Sequence, residues 1–308
     1  MDIVSELQKS SLFSNLELLA TQVVEGFVSG IHKSPFHGFS AEFAEHKIYN
    51  KGESTKHIDW KLYAKTDKLY TKRYEEETNL RCHMILDNSA SMYYPSIQNP
   101  DVDNLNKISF GVLAIAALMQ ILKKQRDAVG LSVYAGNYSY YAPEKGSERH
   151  YQMLFAKLNA IAQAANPEKK TDMVTHLHEI AEKMHRRSLF FLFTDLLQDT
   201  DDQYMFDALQ HLKYKKHEVI LFHLLDKEKE VHFNFDDTPK RFVDVETGAQ
   251  IDVYAHQIRK HYETAINDYI NAVKLKCAQY KIQYVEADVH SGFSRVLNTF
   301  LVARQKFL

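Results

Sequence analysis

The chain has 308 residues, with 38 Lys or Arg against 40 Asp or Glu, for a formal charge of −2. Counterion release on a phosphate backbone needs a concentrated basic surface, so this balance argues against a dedicated nucleic-acid binder. The composition, 45% hydrophobic and 25% charged, is that of a folded protein and excludes disordered, collagen-like and disulfide-framework classes.

This length fits about two domains, or one large α/β domain with an appendage. Only two cysteines are present, Cys82 and Cys277, and their separation points to a reducing cytoplasm. Met1–Leu19 is amphipathic and lacks the basic start and apolar stretch of a signal peptide. The longest apolar run, Gly111–Met119, falls well short of the roughly 20 residues of a membrane helix. It reads as a buried helix instead, and the expectation is a cytoplasmic protein with no transmembrane segment. The 16 histidines are scattered without zinc-ligand spacing, and His176 and His178 fall on different helix faces.

In chain order, Leu7–Val28 reads as a helix. Residues 31–80, rich in aromatics, read as an irregular strand-rich segment. From there strands and helices alternate. Arg81–Leu86 is a short apolar strand ending in Asp87, and Asn104–Lys124 is a long helix. Ala128–Tyr134 is a strand, paired with Tyr138–Tyr141 across a Gly136-Asn137 turn. Helices follow at Arg149–Ala162 and Thr171–Arg186, separated by the Asn166-Pro167 break. Ser188–Thr194 is an apolar strand ending in Asp195, Asp201–Tyr214 a helix, and Glu218–Leu225 a buried strand. Residues 227–252 interrupt the rhythm and read as an inserted hairpin of Val231–Phe235 against Arg241–Val245, turning at Asp236–Pro239. Val253–Tyr280 is a helix, Gln283–Ala287 a strand and Gly292–Arg304 the closing helix.

The alternation predicts an α/β fold, a doubly wound and mainly parallel sheet with helices on both faces. The expected division is 1–79, a helix and strand-rich segment packed on the sheet, and 80–308, the sheet domain with its hairpin insertion. In such sheets the ligand site lies beyond the carboxyl ends of the strands. Two strands end there in aspartate. The first continues as Asp87-Asn88-Ser89-Ala90-Ser91, a carboxylate and two hydroxyls at alternate positions. These are hard oxygen ligands suited to Mg²⁺ or Mn²⁺. Thr171, in the loop that opens the helix preceding the Asp195 strand, can reach the same edge. The simpler reading of each is structural: Ser89, Ser91 and Thr171 as helix caps, Asp195 as a strand-end turn.

D-x-S-x-S after an apolar strand, then a T-D loop, then an apolar strand ending in T-D, resembles the von Willebrand factor A fold with its metal-ion-dependent adhesion site (MIDAS), a Rossmann-like architecture. The resemblance implies one Mg²⁺, with Mn²⁺ or Ca²⁺ as alternatives, held by Asp87, Ser89, Ser91, Thr171 and Asp195. Upstream, Gly38, Tyr49, Gly52-Glu53 and Lys56-His57-Ile58-Asp59-Trp60-Lys61, with Ala64-Lys65, are similar to the signature of domain-of-unknown-function family 58. Lys56 and Lys65 stand where that signature has arginine, and a lysine cannot make the same bidentate pairs. The family resemblance implies a protein-interaction module, adaptor to a MoxR-type AAA+ ATPase, in which a partner Glu or Asp completes the metal shell.

Two other functions fit the sequence. One is a metal-independent scaffold with a vestigial site, and the other a metal-assisted hydrolase. No histidine lies in the three motif loops to act as a base, and no G-x-S-x-G elbow, Walker loop or G-x-G-x-x-G occurs. No catalytic residue is assigned and the chain reads as a non-enzyme. Trp60, the only tryptophan, reads as a core anchor, and Asp59 as the partner of Lys61 or Lys65. The basic run over residues 56–73 is followed at once by Glu75-Glu76-Glu77, which largely cancels its field.

Overall fold

Strands that are apolar along their whole length must be covered on both faces. The computed structural model shows how the chain does this. It describes residues 15–31, 46–48, 60–72, 80–97, 104–135, 138–163, 173–184, 188–197, 202–244 and 248–305. In chain order these form α1 (Leu16–Ile31), β1 (His46–Ile48), α2 (Trp60–Thr66), β2 (Tyr70–Lys72), β3 (Arg81–Asp87), α3 (Lys107–Lys124), β4 (Ala128–Ala135) and β5 (Tyr138–Lys145). Then come α4 (Glu148–Ala162), α5 (Met173–Lys183), β6 (Leu189–Thr194), α6 (Asp202–Tyr214), β7 (Glu218–Leu225), β8 (Pro239–Val243), β9 (Gln250–Tyr254), α7 (Ala255–Gln279), β10 (Gln283–Asp288) and α8 (Ser294–Gln305).

The main sheet has six strands in the order β10-β7-β6-β3-β4-β5. All neighbours are parallel except β5, which runs antiparallel to β4 and forms the expected hairpin edge. Side chains alternate between faces, as the two-residue period requires. Met84 and Leu86 face one core, with α1, α3, α4 and α8 over it. Ile85, Phe190 and Leu192 face the other, with α5, α6 and α7 over it. The sheet is thus doubly wound, as the alternation of elements predicts. The two buried cysteines belong to opposite cores, Cys82 to one and Cys277 to the other. No helix among the described residues is long and apolar enough to cross a membrane.

Helix α3 is the central one. Every residue from Lys107 to Leu122 is buried, so it is apolar nearly all round for a physical reason. A side chain at Gly111 would meet Leu86 at 3.1 Å and Leu224 at 3.3 Å, so the glycine lets the helix lie directly on β3 and β7. Asn106 caps the helix by accepting the Ser109 N–H at 3.0 Å, which fixes the residue after it, Lys107.

The chain divides into two units, Ser29–Asn79 and the remainder. Helix α1 up to Val28 groups with the sheet unit rather than with the segment Ser29–Asn79. Its Leu16, Ala20 and Val24 enter the core shared with α3. In the smaller unit, β1 and β2 pair antiparallel. Trp60–Thr66 is a helix within the segment read as strand-rich, and the Trp60 ring lies edge-on to Tyr63. Asp59 lies outside the described residues.

The insertion is also rearranged. Lys227–Val231 forms a single wide helical turn, and the hairpin pairs β8 with β9, Pro239 opposite Tyr254. Phe233 adopts a positive φ of 46° and packs on Phe242 and Tyr262 rather than extending into a ladder. The aromatic cluster takes the residues that were expected to form the first strand.

Candidate metal centre at the strand ends

The chain reaches the carboxyl edge of the sheet at β3, fills β4 and β5 on one side, and then crosses to β6 on the other. The crevice at such a reversal is where ligands bind in open α/β sheets. Asp87 closes β3 and Asp195 follows β6, so both expected carboxylates stand at this crevice.

Asp87 is 1% exposed and fully engaged. Its Oδ1 accepts the Ser89 N–H at 2.9 Å, and its Oδ2 accepts the Thr194 hydroxyl at 2.7 Å. Burial, then repulsion from Asp195, lifts its pKa to about 6. The Ser89 and Ser91 hydroxyls hydrogen-bond each other at 3.0 Å in the same buried turn. Ser89 starts the short 3₁₀ turn Ala90–Tyr93 without capping it through its side chain, so its hydroxyl is not consumed by the helix end. Asn88 holds the loop from outside by accepting the Tyr93 hydroxyl at 3.0 Å. Thr171 lies outside the described residues.

Three features were not foreseen. Thr194, the last residue of β6, ties the two strands together across the crevice. Lys107 brings its Nζ to 2.7 Å from Asp195 Oδ2 and 2.6 Å from Glu230 Oε1 while fully buried. Burial alone would depress its pKa, but Asp195 and Glu230 together outweigh that and hold the amine protonated. His223 donates from Nε2 to the Asp195 carbonyl at 3.0 Å and accepts the Tyr284 hydroxyl on Nδ1 at 2.7 Å. Burial drives its pKa down to about 4, so it is a neutral strut.

The donor set suits a hard cation on two counts. Hydroxyl ligands at adjacent octahedral positions, with Mg–O bonds of about 2.1 Å, stand about 3.0 Å apart. The Ser89–Ser91 hydrogen bond spans the same distance, so a cation could replace its proton without moving either oxygen. Asp87, Asp195 and Glu230 also outnumber Lys107 by two negative charges, which a divalent ion would balance. Among the described residues no three His, Cys, Asp or Glu side chains are grouped to hold a metal, so the hydroxyls are indispensable to any such site. Ser89 and Ser91 could supply direct ligands, and Asp195, whose oxygens accept from Lys107 and the Leu197 N–H, could supply one only by giving up a donor. Asp87, with both oxygens committed, would act through hydrogen bonds or water.

Two curated relatives, uncharacterised proteins of Mycobacterium tuberculosis and Mycobacterium bovis, are each 19% identical over 223 residues, 72% of this chain and 67% of theirs. Among solved structures the chain is similar to the conserved hypothetical protein BatB from Bacteroides thetaiotaomicron, at TM-score 0.47 and 13% identity, over 74% of this chain and all of that one. It is also similar to the SpRpn10 VWA domain, at TM-score 0.39 and 10% identity, over 71% and 94% of the two chains. Residues 45–270 match the model of the family described as protein of unknown function DUF58, and the chain belongs to that family.

Proposed function

We propose that the protein is a cation-dependent protein-interaction module whose docking point is the crevice at the ends of β3 and β6. The observation that carries this reading is the pair of buried hydroxyls, Ser89 and Ser91, at the separation of neighbouring Mg²⁺ ligands. A Mg²⁺ bound there supplies an exchangeable position for a partner oxygen. The chain's own residues do the rest. Thr194 and the Ser89 amide hold Asp87 in place, and the Leu197 N–H steadies Asp195 Oδ1 at 3.2 Å. Leu197, 46% exposed beside Asp195, offers apolar contact to whatever docks. The partner reads as a protein that presents Glu or Asp. The family resemblance makes a MoxR-type AAA+ ATPase the first to test.

Thermal unfolding with and without Mg²⁺ tests the site. A ligand that binds only the folded state stabilises it by about 2.7 kcal/mol at a hundred times its Kd. The wild type should gain stability in about 10 mM Mg²⁺. Ser91→Ala should not gain it. No gain in the wild type overturns the metal reading. Calorimetry with the ATPase, with and without chelator, then tests the partner. A second reading has its own support. Lys107 already places a cation on Asp195, which fits a scaffold that needs no metal.

A further inference from the structure

We infer that Lys107 is a tethered counter-cation that competes with a divalent ion for Asp195, with Glu230 as the carboxylate that receives it. This rests on the metal reading of the site and names its regulation.

The amine has two carboxylate partners at nearly equal distances, Asp195 Oδ2 at 2.7 Å and Glu230 Oε1 at 2.6 Å. The backbone of Lys107 is pinned. Asn106 caps its helix, and its own N–H donates to the Tyr94 carbonyl at 3.1 Å. Above that anchor the amine already reaches both carboxylates, so it can leave Asp195 without travelling to Glu230. Asp195 cannot give its Oδ2 fully to both an ammonium and a divalent ion, because two cations that close repel strongly in a buried site. An ordinary buried pair would oppose the exchange, since it would strand an unpaired ammonium. Here Glu230 keeps the ammonium paired when Asp195 lets go.

Glu230 is itself held. Its Oε2 accepts the Asp226 N–H at 2.8 Å, and its carbonyl accepts the Tyr262 hydroxyl at 3.0 Å. It sits on the helical turn Lys227–Val231 that opens the insertion, and Tyr262 belongs to α7, which closes it. Occupancy at Asp195 is therefore wired to the insertion through one side chain. The same arrangement disfavours weakly bound monovalent ions, which cannot displace an ammonium already in contact.

The experiment is Mn²⁺ binding to the full chain, read by electron paramagnetic resonance of free Mn²⁺, with folding checked by circular dichroism. Lys107→Met should bind Mn²⁺ about tenfold or more tightly than wild type, because one competing charge is gone. Glu230→Gln should bind it more weakly, because the ammonium loses its second berth and stays on Asp195. Lys229→Met removes a cation from the same turn whose amine bonds the Asn234 carbonyl instead, and should leave Mn²⁺ binding unchanged. Equal binding by wild type and Lys107→Met overturns the competition and leaves the metal reading standing. An increase for Lys229→Met as large as for Lys107→Met also overturns it, since the field alone would then suffice. Binding by Lys107→Met but not by wild type supports the competition and overturns the metal-dependent function of the natural chain. No binding by any variant overturns both. Should Lys107→Met fail to fold, Glu230→Gln decides, and unchanged or tighter binding there overturns the competition.

Discussion

Thr194 joins the two halves of the crevice with one hydroxyl. It donates to Asp87 Oδ2 at 2.7 Å and accepts the Leu196 N–H at 3.1 Å. A hydrogen bond to a charged acceptor contributes more than one between neutral groups, and a buried carboxylate oxygen left without a donor is costly. Thr194→Val keeps the shape and removes the donor. It should lower stability by about 2–3 kcal/mol in urea denaturation. Thr194→Ser, which keeps the hydroxyl, should recover most of that loss. A Val variant as stable as wild type would show that Asp87 does not depend on this bond. At the same scale, Asp87, Ser89, Ser91 and Asp195 were legible because the sequence sets them directly after apolar strands, where an α/β sheet presents its ligand edge. Thr194 was not, because it reads as the last residue of a core strand. Lys107 carries a signal of its own. A helix buried from its first residue to Leu122 cannot leave a lysine at its head in water, so a carboxylate partner had to exist.

At the scale of elements, strands β3, β4 and β5 carry a second polar chain inside the sheet. His83 contacts Glu144 through Nδ1 and Ser132 Oγ through Nε2, the latter at 2.7 Å. Its ring stacks on Tyr141 at 5.6 Å. The link exists because Gly130, opposite His83 in the β3–β4 register, has no side chain. A methyl there would meet His83 Nδ1, Glu144 Oε1 and the Ala142 carbonyl, the last at 2.8 Å. Gly130→Ala should therefore cost about 1–3 kcal/mol by forcing the three strands apart, measurable as a drop in the unfolding midpoint. An unchanged midpoint would mean that His83 can turn away freely. The elements that periodicity could locate were those with a clear face or a continuous apolar run, such as β6 and β7. The insertion was located but mispaired. Val231–Phe235 alternates like a strand, yet Phe233 is buried in an aromatic cluster with Phe242 and Tyr262, and that packing outweighs strand propensity. The helix Trp60–Thr66 was hidden in the same way, by aromatic residues that favour strands in isolation.

For the whole molecule, charge is nearly balanced, so its stability towards acid depends on the few groups whose ionisation changes most on folding. His217 is the clearest of these away from the crevice. It is 1% exposed, accepts the Ser188 N–H on Nδ1 at 3.1 Å, and meets the Phe190 ring edge-on at 4.9 Å. Its Nε2 finds no hydrogen-bond partner among the described residues. Burial, with Lys215 adding to it, lowers the His217 pKa to about 4. An unfolded histidine titrates near 6.5. Between those two values the unfolded chain takes up a proton that the folded chain refuses, so stability rises with pH there. The contribution is complete above about pH 6.5 and is lost as pH falls towards 4, by roughly 3 kcal/mol in all. His217→Asn keeps an acceptor for the Ser188 N–H and removes the titration. The difference in unfolding free energy between wild type and this variant should therefore change by about that amount from pH 7 to pH 4, in the wild type's disfavour on the acid side. A difference that stays flat across the range would mean that the ring gains a proton in the folded state as readily as in the unfolded one.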